Sequence, residues 1–421
     1  MLSPELRLPA PKAPGSFDRS VPLAQTLALL PQLRERYGIT RIADITHLDR
    51  IGIPVMSAIV PDSPDIMSIY NGKGTTRESA LAGAVMEAVE RQAAAVPSLP
   101  VLMRDLETTL DAIDSGGREH SRQGEPVEVV TGFDLLSGDA IDVPLALVQF
   151  PWPGEPVIFG DSTNGLAAGN SVAEAVYHAV CELLERHLFA VAHARGHLRP
   201  RAIVSRFANG ASSVPIFFDD PAAIEIELPT GSDAVDALVE RIQRAGLALR
   251  LRAFDWEPFP ILILATIADH AGGAAAAHTG YGCSWSPEHA AIRALTEAAQ
   301  SRAADFLAAR EDLCRHDEPH LPRYGARRGF GVPFGLWYYD APAPRYALRS
   351  FTDRSTNDVA GDVALLVGAL RQAGSGPVAI VDLSPEDIPV HVVRAVAPAL
   401  ESPVSRGRYG PTVRDILNLD A

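Results

Sequence analysis

Three stretches of this sequence pair helical apolar periodicity with a repeated acidic step, and that repetition constrains the fold more than any other feature. The clearest runs from Thr163 to Arg186, TNGLAAGNSVAEAVYHAVCELLER. It opens on a Gly-bearing turn, after which Asn170 or Ser171 can cap a helix by accepting a first-turn N–H. Val172, Ala175, Val176, Ala179, Val180, Leu183 and Leu184 then recur at a period near 3.6. Glu174, His178, Glu182 and Glu185 fall at i, i+4, i+8 and i+11, which places three carboxylates and an imidazole along one face. Gly83 to Arg91, GAVMEAVER, repeats the step as Glu87, Glu90 and Arg91. Ile292 to Arg302, IRALTEAAQSR, repeats it as Glu297, Gln300 and Arg302.

A solvated face tolerates one such row, but one shared site explains three better than three wet faces do. Grouped carboxylates need a counter-charge. Mg²⁺ takes hard oxygen ligands and shares them with substrate phosphates, and arginines beside it suit phosphate oxygens. The residues therefore predict a Mg²⁺–nucleotide site between helices. Each polar helix follows a strand and a Gly-bearing turn, an α/β pattern with the site at the helix starts. Asn71-Gly72-Lys73-Gly74 resembles half a P-loop, without the earlier Gly or the Ser/Thr after the lysine. It reads either as a plain turn or as a phosphate-approaching loop with Lys73 as charge donor. His178 and Glu182 lack a third ligand at zinc-like spacing.

With 421 residues, the chain has mass for two or three domains at roughly 150 residues each. A formal charge of −15 argues against nucleic acid or an anionic membrane as main partner. Cys181, Cys283 and Cys314 have no C-x-x-C spacing, so no zinc or disulfide framework is expected and a reducing cytoplasm is the default. The first twenty residues lack the apolar core of a secretory signal. The longest apolar run, Phe259 to Ala268, is too short for a bilayer and reads as a buried strand. Strands are expected between Gly38 and Tyr70 and again at Val143 to Phe150, with Asn71 to Arg77 as a turn. Cys314 to Pro344, rich in Arg, Gly, Pro and aromatics, is too long for an ordinary connector and reads as a loop over a site or a partner surface.

GKGTTRESALAGAVMEAVER, TNGLAAGNSVAEAVYHAVCELLER and the block from Glu288 to Arg302 together resemble the three helix motifs of the YcaO family. The likeness runs from about Thr40 to Leu400. ITRIADITHLDRIGIPV is similar to the stand-alone branch often encoded beside a TfuA-like protein. The resemblance implies a mixed α/β, YcaO-like fold with three helices around one nucleotide cavity. It implies a lead segment over 1–40, the ATP-binding catalytic domain over 41–400 and a tail over 401–421. It implies ATP and Mg²⁺ as cofactors, with Glu87 and Glu90 as a first pair of metal carboxylates and Glu174, Glu182 and Glu185 as a second set. Arg91, Asn170, Arg186 and Arg302 match positions of nucleotide or phosphate contact. Gly83 stands where many members carry Ser, and the tail PTVRDILNLDA lacks the Pro-rich end of azoline-forming cyclodehydratases.

In such enzymes ATP activates a backbone amide of a peptide, and a Cys, Ser or Thr side chain or external sulfide gives an azoline or a thioamide. The partners implied are a precursor peptide or protein and a TfuA-like protein; a homodimer is the base-rate expectation. Two other readings of the site are an accessory protein that binds a partner under nucleotide control without modifying it, and a different carboxylate–amine ligase.

Overall fold

A computed structural model describes residues 6, 8–105, 126–154, 162–198, 223–269, 277–308, 337–340, 342–401 and 410–417. The expected loop from Cys314 falls outside these residues as far as 336, as do the polar stretches 111–125 and 206–220 and most of the tail.

The described strands form three sheets. The first holds β1 (Arg41–Asp44), β2 (Val55–Ile59) and β3 (Ile69–Lys73), all antiparallel. Another takes β4 (Leu102–Asp105), β5 (Pro126–Asp134), β6 (Ala140–Pro144) and β7 (Leu166–Gly169), with β13 (Ala379–Asp382) and β14 (His391–Val396). Its order is β4-β5-β13-β14-β7, with β6 also paired to β5. The last holds β8 (Ala223–Ile226), β9 (Ala248–Phe254), β10 (Ile261–Ala268), β11 (Ala277–Ser284) and β12 (Arg345–Tyr346), ordered β11-β10-β9-β8-β12. Every residue of β10 is buried, as the unbroken apolar run requires.

Seven helices are labelled: α1 (Leu23–Arg36), α2 (Arg77–Ala95), α3 (Val172–His193), α4 (Asp233–Arg244), α5 (Pro287–Ala308), α6 (Val359–Gln372) and α7 (Pro411–Leu417). Two expectations shift. Asn71 to Lys73 belong to β3 rather than to a turn, because their backbone continues the ladder onto Val55, Met56 and Ser57. Val143 to Phe150 is only briefly strand: the ladder onto β5 ends at Pro144, and Leu145–Val148 make one helical turn. Proline has no N–H with which to extend a ladder.

What positions the site is a relation between strands and helices. β3, β7 and β11 are each the terminal strand of their sheet, and each runs into one of the acidic helices, α2, α3 and α5. Thr76 starts α2 by accepting the N–H of Ser79 at 3.1 Å, and Ser79 bonds back to Thr76, a capping box. Ser171 caps α3 through the N–H of Glu174 at 3.3 Å. Helix and strand press together at small residues. A Cβ at Gly72 of β3 would stand 2.0 Å from the Ala84 nitrogen of α2, and one at Gly280 of β11 would stand 2.2 Å from the Ala294 oxygen of α5.

Helix α3 is the central piece: Val176, Val180 and Leu184 are fully buried in one cluster with Leu262, Leu264 and Leu366. The N-terminal lead contains α1, and its extended part reaches α6, where the N–H of Lys12 donates to the Asn357 carbonyl at 2.9 Å. Among the described residues no helix is long and apolar enough to cross a membrane.

Candidate active site

The polar side chains of the three acidic helices reach backbone groups at or beside the terminal strands, two of them across to a different sheet. Glu90 of α2 accepts the N–H of Ala168 in β7 at 3.0 Å. Glu182 of α3 accepts the N–H of Gly165, just before β7, at 3.2 Å. Glu297 of α5 accepts the N–H of Tyr281 in β11 at 3.3 Å and pairs with the Lys73 ammonium from β3. Gln300 of α5 donates to the Asn71 carbonyl of β3 at 2.7 Å. Free edges of all three strands are thus closed by side chains of the acidic helices, two of them by a helix from a different sheet.

The electrostatics separate two kinds of carboxylate. Glu87 and Glu90 are pushed up, first by burial and then by neighbouring carboxylates: Glu182 acts on both, and Glu87 on Glu90. Burial likewise raises Glu182, and it carries Glu185 to about 7, with Glu297 adding to both. Burial also acts against ionisation of Glu297, but Lys73, Arg186 and Arg293 hold that carboxyl below its ordinary range. Arg186 reaches Glu185 at 3.3 Å and Glu182 at 3.9 Å, with its guanidinium 5.3 Å from the Tyr281 ring centre.

The other expected site residues lie as follows. Glu174 is fully buried, and its carboxylate is taken up by the backbone N–H and hydroxyl of Ser20, both at 2.6 Å, and by the backbone and side-chain nitrogens of Asn170, both at 2.9 Å. Burial pushes that carboxyl up, but Arg19 and these donors bring it below the usual range. The Asn170 side-chain oxygen accepts the hydroxyl of Thr26 at 2.8 Å. Arg91 forks onto Asp65 at 2.8 and 2.9 Å. Arg302 is buried, with Asp49 at 3.0 Å and Asp269 at 3.3 Å. The structure therefore brings Lys73, Glu87, Glu90, Glu182, Glu185 and Arg186 together, while Asn170 and Glu174 form a neighbouring pair. Arg91 and Arg302 point into ion pairs of their own.

Two residues join this cluster that were not expected to. Glu297 was noted as a polar step but not as a ligand. Arg293 stands one turn before Glu297 on the same face. Its Nε has no hydrogen-bond partner, and the charges acting on it are those of Glu185, Asp18 and Glu297. The i, i+4 spacing of Arg293 and Glu297 was the available signal.

Glu185 is buried and Glu87, Glu90 and Glu182 are part-buried. Four carboxyl groups that resist ionisation despite nearby Lys73, Arg91 and Arg186 fit a divalent cation with hard-oxygen preference. Among the described residues no three His, Cys, Asp or Glu side chains are grouped as a cage for a metal. Mg²⁺ is commonly held by one or two carboxylates together with waters and substrate phosphates. Lys73, Arg186 and Arg293 supply positive charge beside the carboxylates, as a polyphosphate requires.

Fold and site together form one polar centre built from three strand–helix units. A family described as YcaO cyclodehydratase, ATP- and Mg²⁺-binding, matches residues 71–401. This chain belongs to the YcaO family, whose cofactors are ATP and Mg²⁺. It is 31% identical over 391 residues to an uncharacterised protein of Methanothermobacter thermautotrophicus, covering 90% of this chain and 94% of that one. It is also 31% identical over 408 residues to a protein of Rhizobium leguminosarum bv. trifolii encoded in the tfuA 3′ region, covering 93% and 90%. Among solved structures, YcaO from Methanopyrus kandleri bound with AMPPCP and Mg²⁺ matches with a TM-score of 0.66 and 23% identity, over 93% of this chain and 95% of that one. A heterocyclase in complex with substrate and cofactor matches with a TM-score of 0.71 and 18% identity, over 94% of this chain and 54% of that one. These two likenesses concern the fold.

Proposed function

We propose that this protein uses ATP and Mg²⁺ to activate a backbone amide of a ribosomally made peptide or protein by phosphorylation, giving a thioamide or an azoline. The observation that carries the reading is that Glu87, Glu90, Glu182 and Glu185 lie near enough to raise one another's carboxyls, beside Lys73 and Arg186. An amide oxygen is a poor leaving group. A nucleophile, either sulfide or a Cys, Ser or Thr side chain of the peptide, adds to the amide carbon. The oxygen takes the terminal phosphoryl group of ATP, and phosphate and ADP leave. Mg²⁺, when bound, neutralises charge on the phosphates. Glu87, Glu90, Glu182 and Glu185 are the residues proposed to hold it. Lys73 and Arg186, with Arg293, orient the phosphates and offset their charge, so that the protein contributes mainly positioning and electrostatics.

The Rhizobium relative's place beside tfuA supports a TfuA-like partner. The proposed setting is the cytoplasm, in keeping with the buried free thiols of Cys181 and Cys283. The test is ADP formation by the purified protein with Mg²⁺, ATP and candidate peptides encoded beside its gene, with and without sulfide and a TfuA-like protein. Peptide-dependent ADP release with replacement of an oxygen by sulfur in the peptide mass identifies a thioamide; loss of one water identifies an azoline. Nucleotide binding with no change in any peptide would favour the accessory reading instead.

A further inference from the structure

The N-terminal lead enters the polar seam between α3 and α5. On α3, Glu174, His178 and Glu182 follow one another at i, i+4 and i+8; on α5, His289, Arg293 and Glu297 do the same. The lead adds a residue between the two imidazoles. The Asp18 carboxylate stands 3.1 Å from Nε2 of His178 and 3.7 Å from Nε2 of His289. Its side chain is only 8% exposed. The Phe17 ring stacks on His289 with centroids 4.9 Å apart and planes 6° from parallel. Two residues on, Ser20 and Arg19 hold Glu174. Lys12 fixes the far end of the segment to Asp362 at 2.6 Å.

Burial works against an anion at Asp18, but His289, Arg19 and His178 keep its carboxyl well below the usual range. A buried charge between two helices is retained at a cost in desolvation, which makes its placement informative. Arg293, one turn beyond His289, is acted on by the charges of Glu185, Asp18 and Glu297. Along α3 and α5 the same rows run from the residues that meet Asp18 to Glu182 and Glu297.

We propose that Asp18 is a positioning residue of the nucleotide site, pinning α3 to α5 through His178 and His289 so that Glu185, Arg293 and Glu297 face one another at a fixed spacing. The inference deepens the functional reading above and rests on it for its nucleotide readout. Asp18 touches none of the carboxylates proposed to hold Mg²⁺; it acts through the helices that carry them.

The test compares wild type with Asp18→Asn, His289→Asn and Asp18→Glu. Two quantities are measured: hydrogen exchange over 287–297 without ligand, and affinity for a non-hydrolysable ATP analogue with Mg²⁺. Asp18→Asn and His289→Asn should keep a cooperative unfolding transition, exchange faster over 287–297, and bind the analogue roughly tenfold more weakly. Asp18→Glu, which restores the charge, should recover part of the affinity. Faster exchange with wild-type affinity would make the clasp merely structural and overturn the proposal, as would wild-type values for both. If wild type itself binds no analogue, the functional reading fails; the pin is then judged on exchange alone, where identical traces for wild type and Asp18→Asn overturn it.

Discussion

Among single residues, Glu182 bears the most direct test. It is half of an unfavourable meeting: burial and nearby carboxylates resist its ionisation in the metal-free protein. Glu182→Gln removes the charge and keeps the shape. Without metal, the variant should unfold at a higher temperature than wild type, because one like charge has left a part-buried cluster. It should also lose the rise in unfolding temperature that Mg²⁺ with an ATP analogue gives the wild type, and its turnover should fall about a hundredfold or more. Glu240→Gln is the control, since that side chain is 69% exposed and faces only Arg244 at 3.9 Å. Unchanged nucleotide affinity in Glu182→Gln would remove the metal assignment. The residue scale is also where sequence reading reaches its limit. The carboxylates at Glu87, Glu90, Glu182 and Glu185 were legible because helical spacing fixes which side chains share a face. The ion pairs of Arg91 with Asp65 and of Arg302 with Asp49 and Asp269 were not. Their partners come from loops whose approach no local pattern encodes.

At the scale of elements, the glycines of β3 and β11 decide how close a helix can lie. Gly280→Ala would drive a methyl group into the backbone of α5 at Ala294 and Ala298. The strand or the helix must move, and overpacking of this kind costs about 1–3 kcal/mol. Because Tyr281 and Glu297 bond across the same contact, nucleotide affinity should fall together with stability. A urea midpoint and a binding isotherm on one preparation check both, and a variant matching wild type in each would show that the contact is slack. The start of α2 was legible from the turn expected over Asn71 to Arg77, which ends where the helix begins; the capping box of Thr76 and Ser79 was not read from the sequence. That Asn71 to Lys73 pair as strand was hidden, because a Gly-bearing run reads as a turn until its partner strand is known.

Over the whole molecule, acid stability depends on histidines carried by the acidic helices themselves. Burial pushes both His187 and His289 down to about 4. His187 accepts the N–H of Glu401 at 3.0 Å through Nδ1, a bond that needs the unprotonated nitrogen. An unfolded chain protonates such a histidine near pH 6.5, the folded one only near pH 4. The contribution of the neutral imidazole is thus complete above about pH 6.5 and is lost as pH falls towards 4. The raised carboxylates titrate in the opposite sense, so the histidine is best read as a difference. The stability gap between wild type and His187→Asn should narrow by roughly 2 kcal/mol between about pH 7 and pH 5. A gap that stays constant with pH would contradict it. Glu401 also accepts the N–H groups of Gly410 and Val413, so the same histidine anchors the C-terminal helix.

The closing of strand edges by Glu90, Glu297 and Gln300 has one more consequence. An open β-edge is a template for another chain, and natural proteins guard such edges with charged side chains. Here the guards and the proposed chemistry share atoms. Glu90→Ala would strip a cation site and, in the same stroke, bare the Ala168 N–H of β7. Variants made to silence this protein should therefore be stickier as well as inactive. Selection for solubility and selection for catalysis act on the same few side chains and cannot be told apart by asking which positions tolerate change.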